Sequence, residues 1–222
     1  MNIGEMLYKI FISNGAFFTI LKGLWMTAQI SILSVLLGTI IGGLICLLRT
    51  RKSIALRTIA AAYIAFLRGT PVLMLLLLLY YGVFAHAGLP SVAVASFTFA
   101  LNLSAHVAEL LRTSISATEK GQVEAARTLG FSRWQAFRLV TLPQMLSIAK
   151  PVYQSLVVNL FQWTSVVGYV TITDLTRVIN NIASRTMQPF ITITVGMFIY
   201  LGLSYAVYGI FALSELKKKE EA

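Results

Sequence analysis

The sequence predicts an all-α integral membrane protein with about five transmembrane helices, its amino terminus outside and its carboxyl terminus in the cytoplasm. Three observations carry that expectation. Of the 222 residues, 57% are hydrophobic and only 12% are charged, about half the charged share of a soluble domain. The apolar residues fall in runs of about 20, the length needed to cross a hydrocarbon layer. The basic residues, whose excess gives a net charge of +10, collect after alternate runs, as they do in cytoplasmic loops.

The elements follow in order, as one transmembrane domain over residues 1–222. Residues 1–22 read as an interfacial amino-terminal segment. Ile3, Met6, Leu7, Ile10 and Phe11 lie at helical spacing, which fits an amphipathic helix on the bilayer surface or the start of the first span. A cleavable signal is not expected, because Glu5 accompanies Lys9 and no small-residue cleavage site follows a compact apolar core. The first span covers about 24–48, roughly 37 Å of helix. Its Gly38 and Gly42 form a small-xxx-small pair that permits close helix approach. Arg49, Arg51, Lys52 and Arg57 follow it.

The second apolar region, 56–86, is interrupted by Arg68-Gly69-Thr70-Pro71. Pro71 lacks a backbone donor and suits a helix's first turn, so a kink or restart is expected there. Residues 71–86 alone reach only about 24 Å, so the part before the break has to complete the crossing. The third span covers 91–111. The basic segment 112–150 comes next and holds Arg112, Lys120, Arg127, Arg133, Arg138 and Lys150. The fourth span covers 152–170, an outer loop 171–189, and the fifth span 190–213, before Lys217-Lys218-Lys219. Basic segments thus follow spans one, three and five. An odd number of crossings places all three on one side, and the positive-inside rule makes that side the cytoplasm. Most of the charge is then a topology signal and not a nucleic-acid footprint.

Several chemistries are excluded. Cys46 is the only cysteine, and His86 and His106 are the only histidines, so neither an internal disulfide nor a Cys/His zinc site is expected. No phosphate-binding loop, paired catalytic carboxylates or nucleophile arrangement appears. The chain is not expected to be an enzyme or to bind a metal or cofactor.

The stretch 124–143, EAARTLGFSRWQAFRLVTLP, is the most informative. Glu124 to Leu129 reads as helix, with Ala125 and Ala126 as a small, smooth face. Gly130 fits the left-handed position that ends a helix. Ser132 can cap a second helix that carries Trp134, Phe137 and Val140 on one side. Pro143 stops or bends it. The outline is that of a helix-turn-helix, but a DNA reader sits on a domain free to approach a duplex, and this stretch is tethered by spans at both ends. A loop resting on the headgroups is the other plain reading.

Glu124-Ala125-Ala126, then Gly130, then Val140-Thr141-Leu142-Pro143 resemble the EAA signature of ABC importer permeases. Arg68-Gly69-Thr70-Pro71, Ala108-Glu109-x-x-Arg112, Lys120-Gly121-Gln122-x-Glu124 and Leu142-Pro143-Gln144 narrow the resemblance to the polar amino-acid subfamily, whose members serve glutamine, histidine, arginine, glutamate and cystine. It covers the chain from about Gly23 onward. It implies a permease in the bacterial cytoplasmic (inner) membrane that works with cytoplasmic ABC ATPase subunits, a second permease subunit, identical or homologous, and an extracytoplasmic amino-acid-binding protein. ATP and Mg would be bound by the partner ATPase. The 112–150 segment would hold a coupling helix seated in that ATPase, with Glu124, Ala125, Ala126, Gly130, Leu142 and Pro143 as the coupling residues.

Polar residues inside a membrane usually face a bundle interior or a wet cavity. Asn102, His106, Glu109 and Thr113 share one helical face, as do Ser155, Asn159 and Gln162. Either these stripes line a path or they hold the bundle together. Glu109 is placed to pair with Arg112 at i+3. The substrate-path candidates are Asn102, His106, Asn159 and Gln162-Trp163-Thr164-Ser165; Arg68 to Pro71 and Glu109 are structural or gating candidates. The chain departs from its relatives here. They often carry Lys-Asp-Thr-Ser where Gln162 to Ser165 stand, and a tyrosine at His106. Either the substrate is unusual, or a second permease subunit supplies the charged contacts.

In the outer loop, Leu175, Val178, Ile179 and Ile182 lie at helical spacing, with Thr173 or Asp174 as cap. This helix either lies near a docked binding protein or serves as a gate or packing element. The alternative for the whole chain is an ion-coupled secondary transporter or channel, which has broken helices and midplane polar groups but no use for the 124–143 stretch.

Overall fold

The structure, a computed structural model, describes residues 8–13 and 15–220. Every regular element among them is helical, and no strand is present. After a π-helical turn, Tyr8–Ser13, come α1 (Ala16–Arg49), α2 (Ile54–Gly69) and α3 (Val72–Leu77), which runs on as a π turn, Leu78–Val83. Then follow α4 (Ser91–Ser116), α5 (Lys120–Thr128) and α6 (Arg133–Ala136). A π turn, Phe137–Thr141, leads into α7 (Leu142–Trp163), which tightens to a 3₁₀ helix over Thr164–Val170. The chain ends with α8 (Leu175–Thr186) and α9 (Pro189–Glu220).

Helices α1 and α4, and residues 189–213 of α9, are each long and apolar enough to cross a membrane. Two further pairs, Ile54–Gly69 with Val72–Val83 and Arg133–Val170 with Leu175–Thr186, pass the same test together but bend by more than 40° at their breaks. Counting each bent pair as one span gives five.

The boundaries moved where a charge had shortened the reading. Helix α1 starts at Ala16, eight residues before the expected 24, because Lys22 is tolerated within a helix that has no breaker after Gly15. Residues 16–22 of the expected interfacial segment therefore belong to α1, while 1–7 and 14 lie outside the described residues. Helix α4 likewise runs through Arg112 to Ser116. Pro143 does not stop the chain. The π turn before it absorbs the missing donor, and α7 accommodates Pro151 as well. The break at 70–71 is a true interruption: Thr70 (φ −100°, ψ 132°) and Pro71 (φ −58°, ψ 130°) are both extended. Pro71 precedes α3 as its N-cap instead of lying in its first turn.

The chain divides into two compact units. The first holds residues 1–36, 71–99 and 158–222; the second holds 37–70 and 100–157.

In the first unit, α8 is the packing centre. Leu175, Val178, Ile179 and Ile182 are buried with Ile10, Ala16 and Ile20, and Leu24, Ile199 and Leu203 pack around them. The expected face of α8 is thus core. Glycines let the neighbouring backbones close on it. A Cβ at Gly23 would lie 2.9 Å from Val178 Cγ2 and 3.0 Å from the Asp174 carbonyl. A Cβ at Gly196 would meet Ile179 at 3.1 Å. Thr27 Oγ1 accepts from the Leu175 N–H at 3.2 Å, and Thr176 and Tyr200 share a hydroxyl hydrogen bond of 2.8 Å.

In the second unit, the pair of small residues acts as the sequence predicts. A Cβ at Gly38 would lie 2.9 Å from the Ala100 carbonyl, and one at Gly42 would lie 2.7 Å from Val107 Cβ. Cys46, Ile64 and Ala108 form a buried cluster under this contact. Polar stitches complete it: Tyr63 with Ser104 and Thr39 with Tyr153, each at 2.7 Å.

Candidate functional site

The 124–143 stretch folds as a closed corner. Helix α5 ends with the Leu129 N–H on the Ala125 carbonyl at 3.0 Å and the Phe131 N–H on the Ala126 carbonyl at 3.1 Å. Gly130 takes φ 90°, in the left-handed region, which lets the chain reverse without a Cβ clash against its own backbone. Arg127 Nη1 donates to the Phe131 carbonyl at 2.6 Å and pins the corner from inside. Ser132 and Gln135 form a reciprocal capping box at the start of α6: the Gln135 N–H donates to Ser132 Oγ at 3.2 Å, and the Ser132 N–H to Gln135 Oε1 at 2.8 Å. Trp134 and Phe137 stack at 5.7 Å, and Trp134 remains 66% exposed.

Glu124, Ala125 and Gly130 are exposed. Ala126 is not: it is 5% exposed, so the two alanines do not form one outward face. Successive residues on a helix point about 100° apart, and α5 turns its 126 side inward. Leu142 and Pro143 open α7, and Gln144 Nε2 reaches the Gln122 side-chain oxygen at 2.8 Å, tying α7 back to α5.

The polar face of α4 is engaged within the second unit. Asn102 is 4% exposed and donates from Nδ2 to the Leu67 carbonyl at 2.9 Å, which satisfies a carbonyl near the end of α2. Glu109 and Arg112 form the expected bidentate pair, at 2.5 and 3.0 Å. Arg49 and Arg68 act on Glu109 electrostatically, and Arg68 also acts on half-buried His106. Thr70 Oγ1 bonds the Phe66 carbonyl at 2.7 Å, and Gly69 has open space around it. The structure thus gathers Arg68, His106, Glu109 and Arg112.

Asn159 and Gln162 are exposed, and Trp163 and Ser165 are half-buried. Thr164 is fully buried, with its hydroxyl on the Phe161 carbonyl at 2.7 Å. It therefore offers nothing outward. Asn102 and His106 belong to the second unit, and Asn159 and 162–165 to the first.

Sequence reasoning missed one feature of the first unit. Ser165, Val166, Gly168, Tyr169, Thr176 and Arg177 line an open cleft of about 440 Å³. Arg177 donates from Nη1 to the Gly168 carbonyl, and Tyr81 donates to the Tyr169 carbonyl at 3.1 Å. The cleft depends on the tightening of α7 to 3₁₀ pitch, for which the sequence carries no periodic signal.

Asp174 caps α8. Its carboxylate accepts from the Thr176 and Arg177 N–H groups at 3.1 and 3.0 Å. Burial pushes this carboxyl above its ordinary value, and the N–H groups pull it back. Asp174→Ala should lower the thermal stability of the purified chain by about 1–2 kcal/mol, while Asp174→Asn, which still accepts, should lose less than half of that. Equal losses in thermal unfolding would remove the cap as the cause.

Residues 34–218 match the family described as the inner membrane component of binding-protein-dependent transport systems. The chain belongs to that family. It is a permease subunit of an ABC transport system. Permease subunits of this kind are generally non-catalytic, and the ATPase is a separate protein. This membership sets aside the ion-coupled alternative. Over 158 residues, 70% of each chain, the permease is 40% identical to the probable amino-acid ABC transporter permease protein YckA of Bacillus subtilis. It is 30% identical to the L-cystine transport system permease protein TcyL of Bacillus subtilis over 85% of this chain and 80% of that one. A crystal structure of an amino acid ABC transporter with histidines superposes with a TM-score of 0.81 at 30% identity, covering 90% of this chain and 94% of the other.

Proposed function

We propose that this permease imports polar amino acids across the bacterial inner membrane, with the 112–150 segment in the cytoplasm and α5 as the element that couples it to ATP hydrolysis. The single observation that carries the reading is the closed corner at 124–135. A short helix with an exposed carboxylate and an exposed alanine is held rigid by hydrogen bonds of its own, in a chain that is otherwise apolar. A rigid, wet projection of that kind suits a groove on a soluble partner that changes shape, and a stiff corner passes the partner's movement into α7.

In this reading the chain pairs with a second permease subunit, identical or homologous, and two ATPase subunits, which bind the ATP and Mg. An extracytoplasmic binding protein delivers the amino acid. The amino terminus is outside, the carboxyl terminus inside, and residues 171–189 face outward. The amino-acid class is supported by the names of the relatives. For the path, exposed Asn159 and Gln162 are the strongest candidates, with half-buried Trp163 and Ser165 beside them in the sequence. An exposed amide on a membrane helix needs a wet cavity or another protein surface.

The test is Glu124→Lys in the assembled transporter. Labelled amino-acid uptake should fall about tenfold or more, as expected when one partner of a desolvated charge pair is reversed. ATP hydrolysis should lose its stimulation by substrate, and membrane abundance should stay unchanged. Normal uptake by this variant would sink the coupling role. Competition by unlabelled amino acids in the same assay tests the substrate class.

A further inference from the structure

Between α1 and α2 the sequence places Arg49, Arg51, Lys52 and Arg57 within nine residues, with no acidic residue among them. Arg49 is the last residue of α1, and Arg57 lies in the first turn of α2. Both line an open cleft of about 360 Å³ together with Ile54, Thr58 and Ala61. That volume lies within the range of small-molecule sites.

The cationic groups of this cleft are uncommitted. Among the described residues, no hydrogen bond or ion pair engages the Arg49 or Arg57 guanidinium or the Thr58 hydroxyl. The carboxylate that feels Arg49, Glu109, has both oxygens occupied by Arg112. Ser53 precedes α2 without a side-chain cap; its carbonyl accepts from the Arg57 N–H at 3.1 Å, and the N–H groups of residues 54–56 have no intrahelical partner. Of the residues lining the cleft, Ile54 is a large apolar side chain left bare, 77% exposed. All of these residues belong to the second unit.

Forked cations at the end of a membrane-spanning helix, with the bare side chain of Ile54 in the same cleft, match a phosphate carried on acyl chains. We propose that the Arg49–Arg57 cleft binds the headgroup phosphate of an anionic phospholipid, with an acyl chain leaving past Ile54. Two guanidinium groups offer bidentate donors to a phosphate's oxygens, and the Thr58 hydroxyl adds a third donor. Basic pockets beside membrane helices bind such headgroups. The charge run is more than a topology signal, because orientation needs positive charge alone and is served as well by lysine. The inference requires only that residues 44–61 lie at a bilayer surface, and it is independent of what the permease transports.

The test uses the full chain purified in a neutral detergent and native mass spectrometry. Phosphatidylglycerol and phosphatidylcholine with identical acyl chains are added in turn. The wild type should retain phosphatidylglycerol about fivefold better than phosphatidylcholine. Arg49→Lys with Arg57→Lys keeps the charge but loses the fork, and should bring that preference below about twofold. Arg51→Gln with Lys52→Gln, outside the cleft, should leave it unchanged. Phosphatidylcholine retention reports whether a variant is folded; if the double lysine variant loses both lipids, the single variants Arg49→Lys and Arg57→Lys are read instead. Equal retention of the two lipids by the wild type overturns the proposal. So does a wild-type preference in the lysine variants, or an equal loss in the control. Complete displacement of phosphatidylglycerol by millimolar inorganic phosphate overturns the lipid assignment and leaves a free-anion site.

Discussion

Gly130→Val will reduce uptake by about tenfold or more while leaving the permease in the membrane at its normal level. Nothing lies within 4 Å of where a Cβ would stand, so space is not the obstacle. The obstacle is φ 90°, a conformation that costs a residue with a side chain about 1–2 kcal/mol and a β-branched residue more. The chain escapes that cost by moving Gly130 out of the left-handed region, which turns α5 away from its present direction. Gly130→Asn, which tolerates left-handed backbone, should keep most of the uptake. The graded order glycine, asparagine, valine is the signature of a backbone effect. Equal activity of the wild type and both variants would show that the corner's shape does not matter to transport.

The second large effect is on stability, and two adjacent glycines should give it opposite signs. Gly42→Ala puts a Cβ 2.7 Å from Val107 Cβ and 2.8 Å from the Ser104 carbonyl. Backbone cannot yield as a flexible side chain does, so α1 and α4 must separate there, at a cost of about 1–3 kcal/mol. Gly43→Ala meets nothing within 4 Å and gains the ordinary helical advantage of alanine over glycine, about 0.5–1 kcal/mol. Thermal unfolding in detergent should therefore place Gly42→Ala below the wild type and Gly43→Ala at or above it. If both shift the same way, the close approach of α1 to α4 is not what holds this unit.

What the sequence made legible was local. Gly130, Ser132 and Asp174 each act on groups within four residues, and such positions carry strong residue preferences. Glu109 and Arg112 meet at i+3, and Gly38 and Gly42 announce a close contact by spacing alone. Apolar length was legible too, because the bilayer demands it whatever the packing: three helices are long and apolar enough to cross outright, and two further crossings are present if each bent pair is one span.

Long-range choices were not legible. Asn102 donates to a carbonyl 35 positions away, and nothing near it names that partner. The stripe on α8 was readable as amphipathic, yet whether it faced a docked protein or a core depended on Ile10, Ile20 and Leu203, which are remote in sequence. Lys22 and Arg112 trimmed the expected spans because a charge lowers apparent hydropathy, although a lysine or arginine at a helix end extends its head toward water without ending the helix.

The corner at 124–135 obtains every bond that closes it from its own residues: Arg127 to Phe131, Phe131 to Ala126, Ser132 with Gln135. Its form thus owes nothing to lipid. Transplanted between the helices of a water-soluble scaffold, the segment would keep its outline, so the surface presented to a partner becomes portable and can be studied at a bench without detergent.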